Sequence, residues 1–239
     1  MSRRTIIAVI VAAIVVAGVL IGLQQASTKS TSASTYQKAF TADLPNVDRM
    51  LHGIPQHGQA LGNPKAPVSI VEYMDYKCPV CGAASRNLVP SVISDYVRTG
   101  QATITLRPVE VIDPKQSVNG AFAGLATAPQ NRMWYFTELI LRNEGDETQP
   151  WLTNTVLTDA ATTAGVDISA WTPVFNGQGG VTQYFTIQNQ WSQDTSSAGL
   201  GEATPTFVVA GAKGTDVFQG DVPLSTFTNA IAKVSGPKA

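Results

Sequence analysis

The tightest constraint on the fold is a strand that runs directly into two cysteines at the head of a helix. Val68 to Asp75 alternates, with Val68, Ile70, Glu72 and Met74 on one face and Ser69, Val71, Tyr73 and Asp75 on the other. Both faces carry large apolar groups, so the segment reads as a central strand covered on both sides. The chain then turns at Tyr76 and Lys77, reaches Cys78, and enters a helix whose apolar residues Leu88, Val89, Val92, Ile93, Tyr96 and Val97 recur at helical spacing. Pro79 stands at the first helical position, where its missing N–H would have had no intrahelical partner. Cys78 is therefore the expected N-cap.

Gly100 stops this helix, and Ala102 to Ile112 follows as a second strand with Ile104 and Leu106 alternating against Thr103, Thr105 and Arg107. From about residue 115 to 199 the pattern turns helical. Phe122, Leu125, Met133, Phe136 and Ile140, then Leu152, Val156, Ala160 and Ala164, repeat at helical spacing, punctuated by Pro129, Gly145, Pro150, Gly165 and Pro173. Strand signals return at Thr206 to Ala210 and Val217 to Gln219, and a last amphipathic helix uses Leu224, Phe227, Ile231 and Val234. The order predicts an α/β sheet domain interrupted by a helical insertion.

The N-terminal end is of another kind. Ile6 to Leu23 is a run of 18 residues made only of Ala, Val, Ile, Leu and two glycines, preceded by Arg3 and Arg4. Its length and flanking charge predict a transmembrane signal anchor with the following chain outside the cytoplasm. A signal peptide cleaved near Ala33 is the competing reading. Residues 24–50 are expected to be a flexible tether, opening with the Ser- and Thr-rich QQASTKSTSAST of residues 24–35, and residues 51–239 the folded domain. A net charge of -1 with 14% charged residues gives no footprint for nucleic acid and too little charge for a disordered polyelectrolyte.

Cys78 and Cys81 are the only cysteines in 239 residues, and they are spaced as Cys-Pro-Val-Cys. On the first turn of a helix the first sulfur faces unsatisfied backbone N–H groups and the positive end of the helix dipole, which favours a thiolate. Lys77 adds a neighbouring cation. Cys78 reads as the exposed, attacked sulfur and Cys81 as the buried resolving one. Glu72, on the inward face of the strand, is expected to carry a carboxyl whose pKa burial raises and which exchanges a proton with Cys81; an edge-strand glutamate reaching water is the alternative. Two other readings of the cysteines stand beside the redox one: a zinc site completed by His52 and His57, and a purely structural disulfide. The Pro- and Gly-containing HGIPQHG around the histidines reads as a loop, and no metal or other cofactor is expected.

The stretch LGNPKAPVSIVEYMDYKCPVCGAAS resembles the start of DsbA-like thiol-disulfide oxidoreductases of the membrane-anchored kind, similar to BdbD and its relatives. QNRMWYFTELIL at 130–141 resembles that family's helical insertion, and TPTF at 204–207 resembles its cis-proline loop. The resemblance spans roughly residues 60–235. It implies a thioredoxin fold with Pro205 cis and opposite Cys78, and with Thr204 and Pro205 pairing with an extended substrate. Pro79 and Val80 lie between the two cysteines, and Val80 departs from the family pattern by replacing a histidine that often stabilises the thiolate.

The function implied is that of a monomeric protein thiol oxidase at the cell membrane, single-pass, with its catalytic domain extracytoplasmic. Its partners would be unfolded exported proteins with free thiols and a membrane reoxidase resembling DsbB or a vitamin-K-epoxide-reductase homologue. A disulfide isomerase or reductase of the same fold, and a redox-inactive binding module, are the alternatives.

Overall fold

A computed structural model describes residues 35–236 except Gln178. The expected anchor at residues 6–23 and the first part of the expected tether lie outside the described residues. Among the described residues, no helix is long and apolar enough to cross a membrane.

The sheet has six strands in the order β1-β2-β4-β3-β5-β6: Gln56–His57 (β1), Ala60–Leu61 (β2), Val68–Met74 (β3), Ala102–Pro108 (β4), Thr206–Gly211 (β5) and Gly214–Gln219 (β6). β3 is central, parallel to β4 and antiparallel to β5. The register sets Glu72 between Leu106 of β4 and Phe207 of β5, so its face is apolar on either side. Phe207 in turn meets Phe227 of the last helix, α9 (Leu224–Val234), edge-on at 4.9 Å. The opposite face lies under α8 (Val181–Ser197), where Tyr73 donates to Asp194 and Trp191 to Thr206. Helices on both faces explain why β3 has no solvent-facing stripe of polar residues beyond Ser69.

The expected tether is overturned from residue 35 onward. Residues 35–51 form a helix, α1, which buries Phe40, Val47 and Leu51 in the core. Those residues fall at i, i+7 and i+11, the stripe of one helix face, and polar neighbours dilute the signal in the sequence. Arg142 and Asn143 both reach Asp43 and fasten α1 to the insertion.

Three further expectations change. The long helix after Cys78 is broken into α2 (Pro79–Asn87), α3 (Val89–Val92) and a π-helical turn at Ile93–Val97. Pro90 has no N–H for the carbonyl of Arg86 and its ring crowds that carbonyl, so the ladder resets around Leu88. β4 stops at Pro108 rather than Ile112, because the N–H groups of Val111 and Ile112 turn to the carboxylate of Asp75 at 2.7 and 2.9 Å. The histidine loop is in part a hairpin, β1–β2, that adds to the edge of β4, and α5 (Met133–Arg142) holds it through Trp134 Nε1 to the Gln59 carbonyl at 2.9 Å.

Between β4 and β5 the chain forms α4 (Gln116–Thr127), α5, α6 (Asn154–Thr163), α7 (Ile168–Asn176) and α8, the helical insertion the sequence predicts. Pro173 lies inside α7 instead of marking a boundary.

Candidate active site

The site is assembled where β3 hands over to α2. Asp75 is fully buried, and beyond its bonds to Val111 and Ile112 it accepts from the Lys77 N–H at 2.8 Å, while its carbonyl accepts from the Cys78 N–H at 3.1 Å. One carboxylate thus fixes both the turn before the cysteine and the loop beside it. Tyr76, also buried, donates to or accepts from Thr137 at 2.9 Å and packs edge-on against Phe136. Its ring fits a notch made by Gly120 and Gly124, one turn apart on α4; a Cβ on Gly124 would overlap it, and one on Gly120 would crowd it and overlap Leu152. The sequence reading missed this notch, whose only signal was a pair of glycines four apart inside an otherwise helical segment.

Cys78 is the N-cap of α2 with Pro79 following, as the sequence predicts. Both cysteines are free thiols. Cys81 is fully buried, but Cys78 is only 4% exposed, so the expectation of an exposed sulfur is corrected. The Thr204 carbonyl lies against it, accepting from the thiol at 3.3 Å, and the Thr204-Pro205 bond is cis. Residues 126 positions apart in sequence therefore share one surface. Pro79 and Val80 form the exposed rim, Val80 with 41% of its surface open.

The two sulfurs sit in opposite electrostatic settings. The neighbouring Cys81 thiol, with help from the Thr204 side chain and the backbone N–H groups of Cys81 and Val80, brings the Cys78 pKa down to about 6 against the opposing effect of burial. Burial, and then the Cys78 sulfur beside it, pushes the Cys81 thiol up. Lys77 does not serve as the expected cation. Its side chain is buried and its ammonium is bound to Asp113 at 3.3 Å and the Gln149 carbonyl at 3.1 Å. The ion pair and carbonyl satisfy a buried charge, which leaves the helix end and the second thiol to stabilise the first.

Glu72 is 1% exposed, and its Oε2 has no hydrogen-bond partner. Burial, with repulsion from Glu138, raises its pKa to about 8. Glu138 on α5 is equally buried, accepts from Ser85 at 2.7 Å, and has its own pKa raised to about 7, chiefly by burial. Ser85 stands one turn beyond Cys81 on the inward face of α2, so a second buried acid borders the helix. Sequence reading missed Glu138 because a glutamate within the apolar run of α5 has the same appearance as a solvated one. His52 and His57 are both exposed, whereas both cysteines are buried.

A protein-family model described as Thioredoxin matches residues 56–232. The chain belongs to the thioredoxin family. It is 33% identical over 101 residues to the probable disulfide bond formation protein D of Bacillus cereus, a stretch covering 41% of this chain and 46% of that one. The chain thus spans about half the length of the curated relatives it matches. Its fold is shared with oxidised BdbD from Bacillus subtilis (TM-score 0.62, 23% identity, covering 74% of this chain and 92% of that one). It is shared equally with DsbA from Chlamydia trachomatis (TM-score 0.62, 24% identity, covering 75% and 92%).

Proposed function

We propose that the chain is an extracytoplasmic protein thiol oxidase that passes the Cys78–Cys81 disulfide to reduced substrate proteins. The observation that carries the reading is the opposite electrostatic bias on two adjacent sulfurs, down to about 6 at Cys78 and upward at Cys81. The lower pKa of Cys78 favours the second step of the exchange, in which Cys78 is the leaving thiolate, and the raised pKa of Cys81 means that its departure in the first step is assisted by protonation. A substrate thiolate attacks Cys78, the Cys78–Cys81 bond breaks, and Cys81 leaves with the electron pair and takes a proton. A second substrate thiolate then attacks the substrate sulfur of the mixed disulfide, and Cys78 departs as a stabilised thiolate.

Glu72 is the proposed proton donor to Cys81. Its raised pKa keeps it protonated at neutral pH, and it has a carboxyl oxygen without a partner on the buried side of the site. Thr204 and Pro205 would pair with an extended substrate segment, and the exposed Pro79 and Val80 would meet it from the other side. The apolar run at residues 6–23 behind Arg3 and Arg4 supports a membrane anchor with this domain outside the cytoplasm. A membrane reoxidase would then restore the disulfide. The name of the Bacillus relative, a disulfide bond formation protein, agrees with the oxidase direction.

The test is oxidation of a reduced, unfolded protein by the preoxidised chain, followed by loss of free substrate thiols. One equivalent of substrate disulfide per chain is expected, and none from Cys78→Ala. No loss of substrate thiols, with the reduced chain instead reducing a native disulfide and itself becoming oxidised, would replace this reading with a reductase.

A further inference from the structure

The segment that follows α5 lays one carboxyl group across the catalytic helix. Cys78, Gly82 and Arg86 follow one another at i, i+4 and i+8, a single stripe along α2. Glu144 crosses that stripe. Its Oε1 pairs with Arg86 Nη2 at 3.4 Å, and its carboxyl lies so close over Gly82 that a Cβ there would overlap it. The side chain is 12% exposed and Oε2 is buried without a hydrogen-bond partner. Arg86 is also bound to the Leu141 carbonyl at 3.0 Å, which fixes the position of its guanidinium. Glycine at position 82 therefore makes room for an acid beside the attacked sulfur.

We propose that Glu144 is the redox-linked proton acceptor of this site: on reduction of the Cys78–Cys81 disulfide, its carboxylate takes up the proton that the Cys78 thiolate leaves unclaimed. The inference deepens the oxidase reading and rests on it for the identity of the reductant, a substrate dithiol. The step balances. A disulfide with an ionised Glu144 plus a substrate dithiol gives a Cys78 thiolate, a Cys81 thiol, a protonated Glu144 and a substrate disulfide. Two electrons and two protons leave the substrate; one proton rests on Cys81 and the other on Glu144, with the net charge unchanged.

The charged and titratable groups around Glu144 support this assignment. Burial is the largest influence and raises its pKa to about 7; Arg86 opposes it, and Cys78 and Glu147 add to it by repulsion. The Tyr36 hydroxyl of α1 lies against the adjacent Gly145, and Lys77 is held in the same loop by Gln149 and by Asp113. No cation other than Arg86 is placed on the carboxylate among the described residues. Thiolate and carboxylate are thus competing anions on one stripe, and each makes the other harder to form.

Two measurements on the protein test the proposal: the protons released to a weak buffer near neutral pH on reduction by dithiothreitol, and the midpoint of the thiolate ultraviolet absorbance against pH. Glu144→Gln keeps the shape and removes the charge. It should release up to one proton to the buffer per disulfide reduced, where the parent releases close to none, and move the Cys78 midpoint down by roughly half to one pH unit. Gly82→Ala should give the same downward shift by displacing the carboxylate, and it decides the matter if the glutamine variant does not fold. Proton release no greater than the parent's and an unchanged midpoint in the folded variant overturn the proposal. Loss of substrate oxidation with this coupling intact would count against the oxidase reading alone.

Discussion

Cys78 and Cys81 lie on the same turn of α2, yet the rim and the buried face of that turn drive their protons in opposite directions. At the rim, backbone N–H groups at the start of the helix, the second thiol and Thr204 stabilise a negative sulfur. On the inner face Glu72 and Glu138 are buried among apolar groups and favour neutral, protonated forms. The site is therefore asymmetric before any substrate arrives. Cys78 is biased toward its thiolate and Cys81 toward its thiol.

Removing either sulfur has the largest expected effect, and the two removals differ. Cys78→Ala abolishes thiol oxidation outright. Cys81→Ala cannot form the internal disulfide but leaves Cys78 competent for exchange, so with substrates whose thiols are preactivated as aryl disulfides the Cys78 thiolate displaces the aryl thiolate and the mixed disulfide accumulates, visible as a mass shift on non-reducing gels. Equal behaviour of the two variants would erase the asymmetry.

Glu72→Gln is next. A carboxyl whose folded pKa is raised to about 8 binds a proton in the folded state after the unfolded chain has lost it, so stability falls as pH rises from the ordinary carboxylate range toward 8. The amide variant should flatten that fall, with a gain of about 2 kcal/mol at mildly alkaline pH in denaturant unfolding. It should also slow resolution at Cys81 without moving the Cys78 thiolate midpoint. A shifted midpoint with unchanged resolution would place Glu72 at the rim rather than behind it. Thr204→Val has the smallest effect. It removes one stabilising side chain from Cys78 and should raise the thiolate midpoint by a few tenths of a pH unit, measured by absorbance.

The sequence carried the sheet and the cysteines well because their signals are local. Val68 to Met74 announces a doubly covered strand by alternation, and Pro79 identifies the helix start. What escaped it depends on contacts between distant segments. The buried face of α1 is spread thinly over Phe40, Val47 and Leu51. Asp75 ends β4 by drawing in the N–H groups of Val111 and Ile112, 36 and 37 residues away. The partners of Lys77, 36 and 72 residues on, turned a predicted cation for Cys78 into a buried ion pair. Glu138 and Glu144 look like ordinary surface acids until α5 is laid against α2. Propensity and spacing describe one segment at a time, and an active site built at a junction is defined by several.

Comparative unfolding tests directly whether the reduced state is favoured by its Cys78 thiolate. The reduced and oxidised soluble chains would be unfolded in denaturant at several pH values from about 6 to the ordinary thiol range near 8.5. A thiol whose folded pKa is lowered stabilises the folded reduced form, fully so above the unfolded pKa, and the gain is lost as pH falls toward the folded value of about 6. The account predicts that the reduced form is the more stable at neutral pH, with the gap widening as pH rises across this window. An oxidised form that is more stable throughout, with a gap that does not respond to pH, would contradict it.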